Sequence, residues 1–278
     1  MRIAFRICVD TLRGAKQGLP VLLKMLAEHQ VKASFALSLG PERQSGGLAI
    51  SLAHKFSPAR HQIANNAKNS LLAIQQAGHE LGMAAFDPSA WIAEAGLQNN
   101  SWTEQQFEKA LAAFNSLFNQ PPVFHAASNW QGNPALLSLE ERYAMKYASD
   151  VRGKTIFFPK LQDVTSSCPQ VPTTLPSIDE VLNRPGVTRD NVHEYIFAES
   201  QRIYPHGEVF NINAESEHLT IFEKLIVMWK GSQWDFMTMG ELLASNNLAT
   251  IGQHQIGWGR VADNGDDMLI QSLPVVKE

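Results

Sequence analysis

The sequence predicts an α/β protein built on a parallel sheet, and three observations carry that expectation. Apolar runs of strand length alternate with stretches of helical periodicity through the first 130 residues, the pattern of βαβ units with right-handed crossovers. The first run, RIAFRICVD, is apolar from Ile3 to Val9 with the single interruption of Arg6, as expected of a strand covered on both faces. No window of 18 uncharged apolar residues occurs, so no membrane-spanning helix is expected. A closed barrel and an open sheet both satisfy this pattern.

After the first strand, GLPVLLKMLAEHQ places Pro20 in a first helical turn and repeats Leu19, Leu22, Leu23 and Leu26 at helical spacing. VKASFALSLG reads as the second strand, closed by Gly40 and Pro41. A helix through NAKNSLLAIQQAG stops at Gly78, and HELGMAAFD is the third strand. TEQQFEKALAAFNSLFN opens on Thr103 as a helix with Phe107, Leu111, Phe114 and Phe118 on one face, and PPVFHAASNW follows as a strand. Beyond residue 150 a stretch rich in Pro, Ser and Thr reads as loops over one mouth of the sheet. HGEVFNINAE and WDFMTM are later strands, and GELLASN is a short helix.

The 278 residues, 44% apolar and 18% charged, suffice for one large domain or two small ones. With no internal repeat and no sharp linker, a single domain over residues 1–278 is expected, with 250–278 as a loosely packed tail. The net charge of −4, with no cluster of Lys and Arg beyond a pair, argues against a surface that tracks nucleic acid. Met1 runs straight into strand-like sequence without a basic segment leading into an apolar one, and the only cysteines, Cys8 and Cys168, are far apart. A cytoplasmic, non-exported protein with reduced thiols is the expectation.

Functional groups in parallel α/β architectures sit at the carboxyl ends of strands. Those ends carry Cys8 and Asp10, then Asp87 and Trp91, then Trp130, then Glu215 and Glu217, with His79, His125 and His218 close by in sequence. Asp10, Asp87 and Glu215 could furnish an oxygen-rich site for Mg²⁺ or Ca²⁺, or serve as loop caps. Trp91 and Trp130 suit stacking on a sugar, or packing at a rim. Cys8 and Asp10 alternate around Val9 and so share a face, where the carboxylate disfavours the thiolate. A structural cysteine is the better reading of Cys8, unless Arg6 or Arg13 reaches the mouth.

RICVDTLRG, GLPVLLKMLAEHQVKASFALSLGPE, HELGMAAFDPSAW, AASNWQ, KYASDVRG, VPTTLPSIDEV, NAESE and MGELL occur in the order in which similar motifs occur in the lipid-linked 4-formamido-arabinose deformylases (ArnD), within the polysaccharide deacetylases of the NodB-homology group. The chain resembles that family over roughly residues 2 to 245. The resemblance implies a distorted (β/α)7 barrel holding one divalent metal on an Asp and two His, with an Asp base, an Arg that orients it and a late His acid. Metal-assisted amide hydrolysis is the chemistry of such a set.

Carried over position by position, the resemblance retains little of that set. The family's DVD becomes Cys8-Val9-Asp10, which keeps the metal Asp as Asp10 and replaces the base. The two His become Ala84 and Pro88. The Arg becomes Gln131, and the His of HAE becomes Asn213. The resemblance therefore implies a chain with no metal expected and no catalytic group intact. Asp10, Asp87, Trp91, Trp130, Arg152 and Glu215 are its candidate ligand-binding residues. Three readings follow: a non-catalytic relative that binds a sugar or lipid-linked sugar, a divergent metal-dependent deacylase using Asp10 with Asp87 and Glu215, and a partner subunit of an active homologue. Between Gly40 and Gly78 the family carries a longer and more aromatic segment than this chain does, so grip on a polyprenyl carrier is not expected.

Overall fold

The computed structural model describes residues 1–41, 62–202, 204–261 and 267–275. Most of the segment between Gly40 and Gly78 on which the carrier argument rests therefore lies outside the described residues. The eight residues Arg2–Val9 form β1, and their alternation organises the molecule. Ile3, Phe5, Ile7 and Val9 enter the outer core, whereas Ala4 and Cys8 enter a separate inner cluster with Ala36, Ala84 and Ala126. Small side chains on the inner face leave space at the centre of a curved sheet.

Six strands run parallel in the order β5 (Tyr147–Ala148), β4 (Phe124–His125), β3 (Glu80–Met83), β2 (Ser34–Leu37), β1 and β8 (Glu208–Asn213). A short β9 (Asp235–Met237) pairs with the first residues of β1. The result is the parallel half-barrel expected of the distorted (β/α)7 class. Phe124 and Tyr147, stacked at 5.0 Å, close its base with Met239. Half-buried there, the Glu80 carboxylate accepts from Tyr147 Oη (2.6 Å), Ser34 Oγ (2.5 Å) and Gly240 N (3.1 Å).

Helices cover the outer face: α1 (Leu19–Glu28), α2 (Lys68–Gln76), α3 (Pro88–Glu94), α4 (Asn100–Phe118), α5 (Pro134–Arg142), α6 (Ile178–Leu182), α7 (Val192–Ser200) and α8 (Leu219–Gly231), while α9 (Met239–Ala244) packs Met239, Leu242 and Leu243 into the inner cluster at the base. The packing is aromatic where β1 meets α8, with Phe5 edge-on to Phe222 at 4.9 Å and Trp229 at 5.7 Å. Gly78, at φ +70°, ends α2 as the sequence indicates.

Several expectations need correction. α4 begins at Asn100, before Thr103, because the Asn99 side chain caps it by accepting from Trp102 N at 3.0 Å. The strand expected over PPVFHAASNW shrinks to Phe124–His125, since a 3₁₀ turn takes Ser128–Trp130. The Pro-rich segment after 150 is not all loop: it holds the hairpin of β6 (Phe158–Leu161) and β7 (Val164–Thr165), and α6 with a Ser177–Glu180 capping box. Most of the expected loose tail is ordered as β10 (Gln253–Gly259) and β11 (Met268–Pro274). These build a second sheet, β11-β10-β6-β7, whose Ile256 and Leu269 are buried with Phe157 and Leu161. No helix among the described residues is long and apolar enough to cross a membrane.

Candidate active-site mouth and an outer His–Glu–Asp cluster

The alternation that buries Ile7 and Val9 outward points Arg6, Cys8 and Asp10 to the inner face and up the barrel axis. Val9 is followed by a π-helical turn, Gly14–Gly18, which brings the β1 loop against the β8 loop. A side chain at Gly18 would meet the Ala214 carbonyl oxygen at 1.6 Å, so only glycine permits this approach. The two loops enclose a cavity of about 220 Å³, lined among others by Arg6, Cys8, Asp10, Trp130, Asn213 and Glu215.

Arg6 forms the floor. It is 2% exposed and donates to Asn211 Oδ1 at 2.5 Å, to the Ala127 carbonyl at 3.1 Å and to Cys8 Sγ at 3.1 Å. Its guanidinium lies 5.3 Å from the Trp130 ring, and that of Arg152 lies 5.0 Å from the same ring. Asn129 and Trp130 hold φ of +50° and +52°, a left-handed pair costing roughly 1–2 kcal/mol per residue. Strain of this kind clusters at ligand sites, and here it sets the indole between two cations.

Arg6 does reach the mouth, and it does not activate Cys8. Burial pushes the Cys8 thiol up to about 12, Arg6 pulls it down, and Asp10 and Glu215 push it further up. Cys8 is therefore a neutral thiol that donates to Asn211 Oδ1 at 3.3 Å. Arg13 is exposed and plays no part. Burial also raises Asp10, against a 2.6 Å hydrogen bond from Ser38 Oγ and the charge of Arg6.

The structure divides the other expected residues. Trp130, Asn213 and Glu215 face the mouth, but Asp87 does not join them: its Oδ1 accepts from Ala90 N at 2.9 Å and caps α3. Pro88 occupies the first turn of that helix, where its missing N–H is harmless. Trp91 is 1% exposed, with its indole N–H donated to the Gln131 carbonyl at 2.7 Å, so it packs the core and presents no stacking face. Gln131 donates to the Asp267 carbonyl at 2.5 Å. Arg152 grips Glu180 at 2.7 and 3.2 Å and borders a different cavity, of about 600 Å³, beside β11. Asp10, Asp87 and Glu215 therefore do not converge on a metal-sized point; among the described residues only His125, Glu140 and Asp150 do so.

The histidines expected near the mouth are dispersed for reasons of strand polarity and pleat. His79 precedes β3, at the opposite end of the barrel from the mouth, where its Nδ1 accepts from Ala33 N at 3.2 Å. His218 pairs with Asp179 at 3.0 Å in an adjoining groove of about 380 Å³ that shares Asn211, Asn213 and Glu215 with the mouth. Because Phe124 takes the inner face, His125 points outward, where its Nδ1 lies 3.0 Å from Glu140 Oε1 and 2.9 Å from Asp150 Oδ1. Sequence reasoning missed Arg6 as the floor, although its place two and four residues before Cys8 and Asp10 was the available signal. Glu140 carried no signal beyond being polar within an apolar helix face.

No protein-family model matches the chain. It is 27% identical over 273 residues to the probable 4-deoxy-4-formamido-L-arabinose-phosphoundecaprenol deformylase ArnD of Shewanella sediminis, covering 89% of this chain and 87% of that protein. To the corresponding probable deformylase of Wigglesworthia glossinidia brevipalpis it is 26% identical over 194 residues, covering 61% of this chain and 67% of the relative. A probable polysaccharide deacetylase from Pseudomonas aeruginosa superposes with a TM-score of 0.65 at 12% identity, covering 87% of this chain and 89% of that one. The chain is an ArnD-like protein with the polysaccharide deacetylase fold. A CE4-family pseudoenzyme from Bacillus anthracis also shares the ArnD-like fold, at a TM-score of 0.57 and 14% identity over 87% of this chain and 65% of that one. A mutant of that pseudoenzyme is described as having restored enzymatic activity. Of the positions that resemblance to the ArnD deformylases assigns to a metal, Asp10 carries a ligand atom, whereas the Ala84 methyl and the Pro88 ring carry none. The mouth as built does not fit that ion.

Proposed function

We propose that this ArnD-like chain is a non-hydrolytic relative of the deformylases that keeps the barrel mouth as a binding pocket for a polar, sugar-like ligand. One observation carries the reading: the mouth is lined by hydrogen-bonding groups and one indole, yet it lacks the donors for a hydrolytic metal and its one thiol is locked neutral. Asp10 is the one family ligand position of the three that keeps a donor, and metal binding there would be weak, since loss of even one supporting partner costs about 10–100-fold in affinity. Asp10, Asn213, Glu215 and Asn129 offer acceptors and donors for hydroxyl and amide groups, and Trp130 offers apolar surface. The adjoining groove through Asn213 and Glu215 gives room for a ligand longer than one sugar ring. Residues 1–278 act as one domain in this reading, and the two free, buried cysteines are in keeping with a cytoplasmic setting.

The test is binding and turnover of 4-formamido-4-deoxy-L-arabinose, followed by calorimetry and formate assay. Heat of binding that disappears in Asp10→Asn, with the sugar recovered intact, is the expected result. Formate release that depends on Asp10 and on added metal would overturn the proposal, as would the absence of any binding. A second arm installs Cys8→Asp, Ala84→His and Pro88→His together, and gain of a bound divalent ion at the mouth is expected.

A further inference from the structure

The cluster on the outer side of the sheet has no role in the mouth. His125, Glu140 and Asp150 are 2%, 0% and 1% exposed, and one ligand atom from each lies within 4.8 Å of the other two. We propose that these three residues hold a divalent transition-metal ion, of the zinc class, in a closed site between the sheet and α5.

Charge argues first. Two carboxylates and one imidazole are sealed from water, and among the described residues no Lys or Arg pairs with any of them. Burying carboxylates without counter-charge is costly, and the single imidazole beside them compensates at most one of the two.

Geometry argues second. A single hydrogen on His125 Nδ1 cannot serve Glu140 and Asp150 equally, whereas a deprotonated Nδ1 and two carboxylate oxygens 2.9–3.0 Å away suit one ion. Ligand atoms about 2.0–2.2 Å from zinc would require these separations to open by only a few tenths of an ångström. The second Glu140 oxygen, Oε2, is buried without a partner among the described residues. Its participation would complete four-coordination, the preference of structural zinc.

The outer shell is already built. Asp150 Oδ1 accepts from Ala127 N at 2.7 Å and its Oδ2 from Gln170 Nε2 at 2.9 Å, which fixes the carboxylate. Trp91 and Phe107 flank the His125 ring at 6.2 and 5.2 Å. Imidazole with carboxylates is a donor set for zinc, cobalt or manganese more than for calcium. Loading would bind M²⁺ through a bare His125 Nδ1, with the ring hydrogen carried on Nε2, and would release the remaining proton of the trio to solvent.

Because the site is closed, loading is tested by unfolding the full chain in denaturant with a chelator and refolding it with Zn²⁺, Co²⁺, Mn²⁺ or chelator alone. One equivalent of Zn²⁺ per chain after gel filtration, withheld from chelator until the protein unfolds, is expected. Co²⁺-loaded protein should show the visible absorption of a low-symmetry, four-coordinate nitrogen–oxygen site, and the metal-loaded chain should melt higher than the apo chain. Glu140→Gln, the same shape without the negative charge, should lose the ion, and Asp10→Asn at the mouth should retain it. Wild-type protein that refolds without retaining metal would overturn the proposal, irrespective of whether Glu140→Gln folds. Retention by Glu140→Gln, or loss in Asp10→Asn, would also overturn it.

Discussion

Cys8 shows how one neighbour fails to decide a residue's chemistry. Arg6 lies 3.1 Å from its sulfur, and a guanidinium at that distance would ordinarily favour a thiolate. Burial wins because the thiol is 5% exposed and two carboxylates share the pocket. Native protein treated with iodoacetamide at pH 8 should therefore remain unlabelled at Cys8, and denatured protein should take up two labels, at Cys8 and Cys168. Rapid native labelling of Cys8, read by peptide mass spectrometry, would contradict the neutral-thiol assignment. Arg6 is expected to be indispensable to the pocket floor. Arg6→Met should cost roughly 1.5–3 kcal/mol for each charged hydrogen bond lost, those to Asn211 Oδ1 and the Ala127 carbonyl, which keep Cys8 Sγ and Trp130 N as their remaining donors, as measured by urea denaturation.

At the scale of elements, helix ends and strand ends set which candidates meet. Asp87 sits beside the mouth in sequence but is turned to the first turn of α3. Asp87→Ala should destabilise the protein by about 1 kcal/mol, the usual cost of a lost N-cap. Asp87→Asn, which still accepts at that position, should recover most of it. Sugar binding at Asp10 should be unchanged in both variants by calorimetry, and loss of binding in the Asn variant would restore Asp87 as a ligand-contacting residue. Trp130, placed by two left-handed residues between Arg6 and Arg152, links the mouth to the second sheet through Thr173 and β11.

For the whole molecule, two buried titratable groups far from the mouth pull stability in opposite directions with pH. Burial and the nearby Lys32 hold His79 down to about 4 from its ordinary 6.5, so the unfolded chain binds a proton that the fold refuses. That contribution is present above pH 6.5 and is lost as pH falls towards 4. Burial lifts Glu208 from 4.5 to about 7, against a hydrogen bond from Thr174. Here the fold retains a proton that the unfolded chain releases, so the contribution is present below pH 4.5 and is lost as pH rises through about 7. Glu208→Gln should therefore raise the melting temperature at pH 8 and change it little at pH 5. His79→Asn, whose amide oxygen can still accept from Ala33 N, should flatten the loss between pH 6.5 and 4. A melting profile for either variant parallel to wild type would exclude that group as a source of the pH dependence.

Much of the fold was legible in the sequence because it depends on local periodicity: the apolar run of β1, the leucines of α1 and the phenylalanines of α4 each state which face is buried. Identity at the strand ends was legible too, since Asp10, Ala84, Pro88 and Asn213 are read off directly and their side chains either carry a ligand atom or do not. What lay beyond the sequence depends on contacts between distant segments. The tail became β10 and β11 because β6, about a hundred residues earlier, offered β10 an edge. Trp91 and Arg152 left the mouth because Gln131 and Glu180 hold them elsewhere. His125, Glu140 and Asp150 came together because a two-residue strand turned one side chain outward onto a neighbouring helix. Sequence alone thus determined the layers and which chemical groups were available; tertiary packing decided which of them met, because strand pairing and side-chain burial are set by partners far away in the chain.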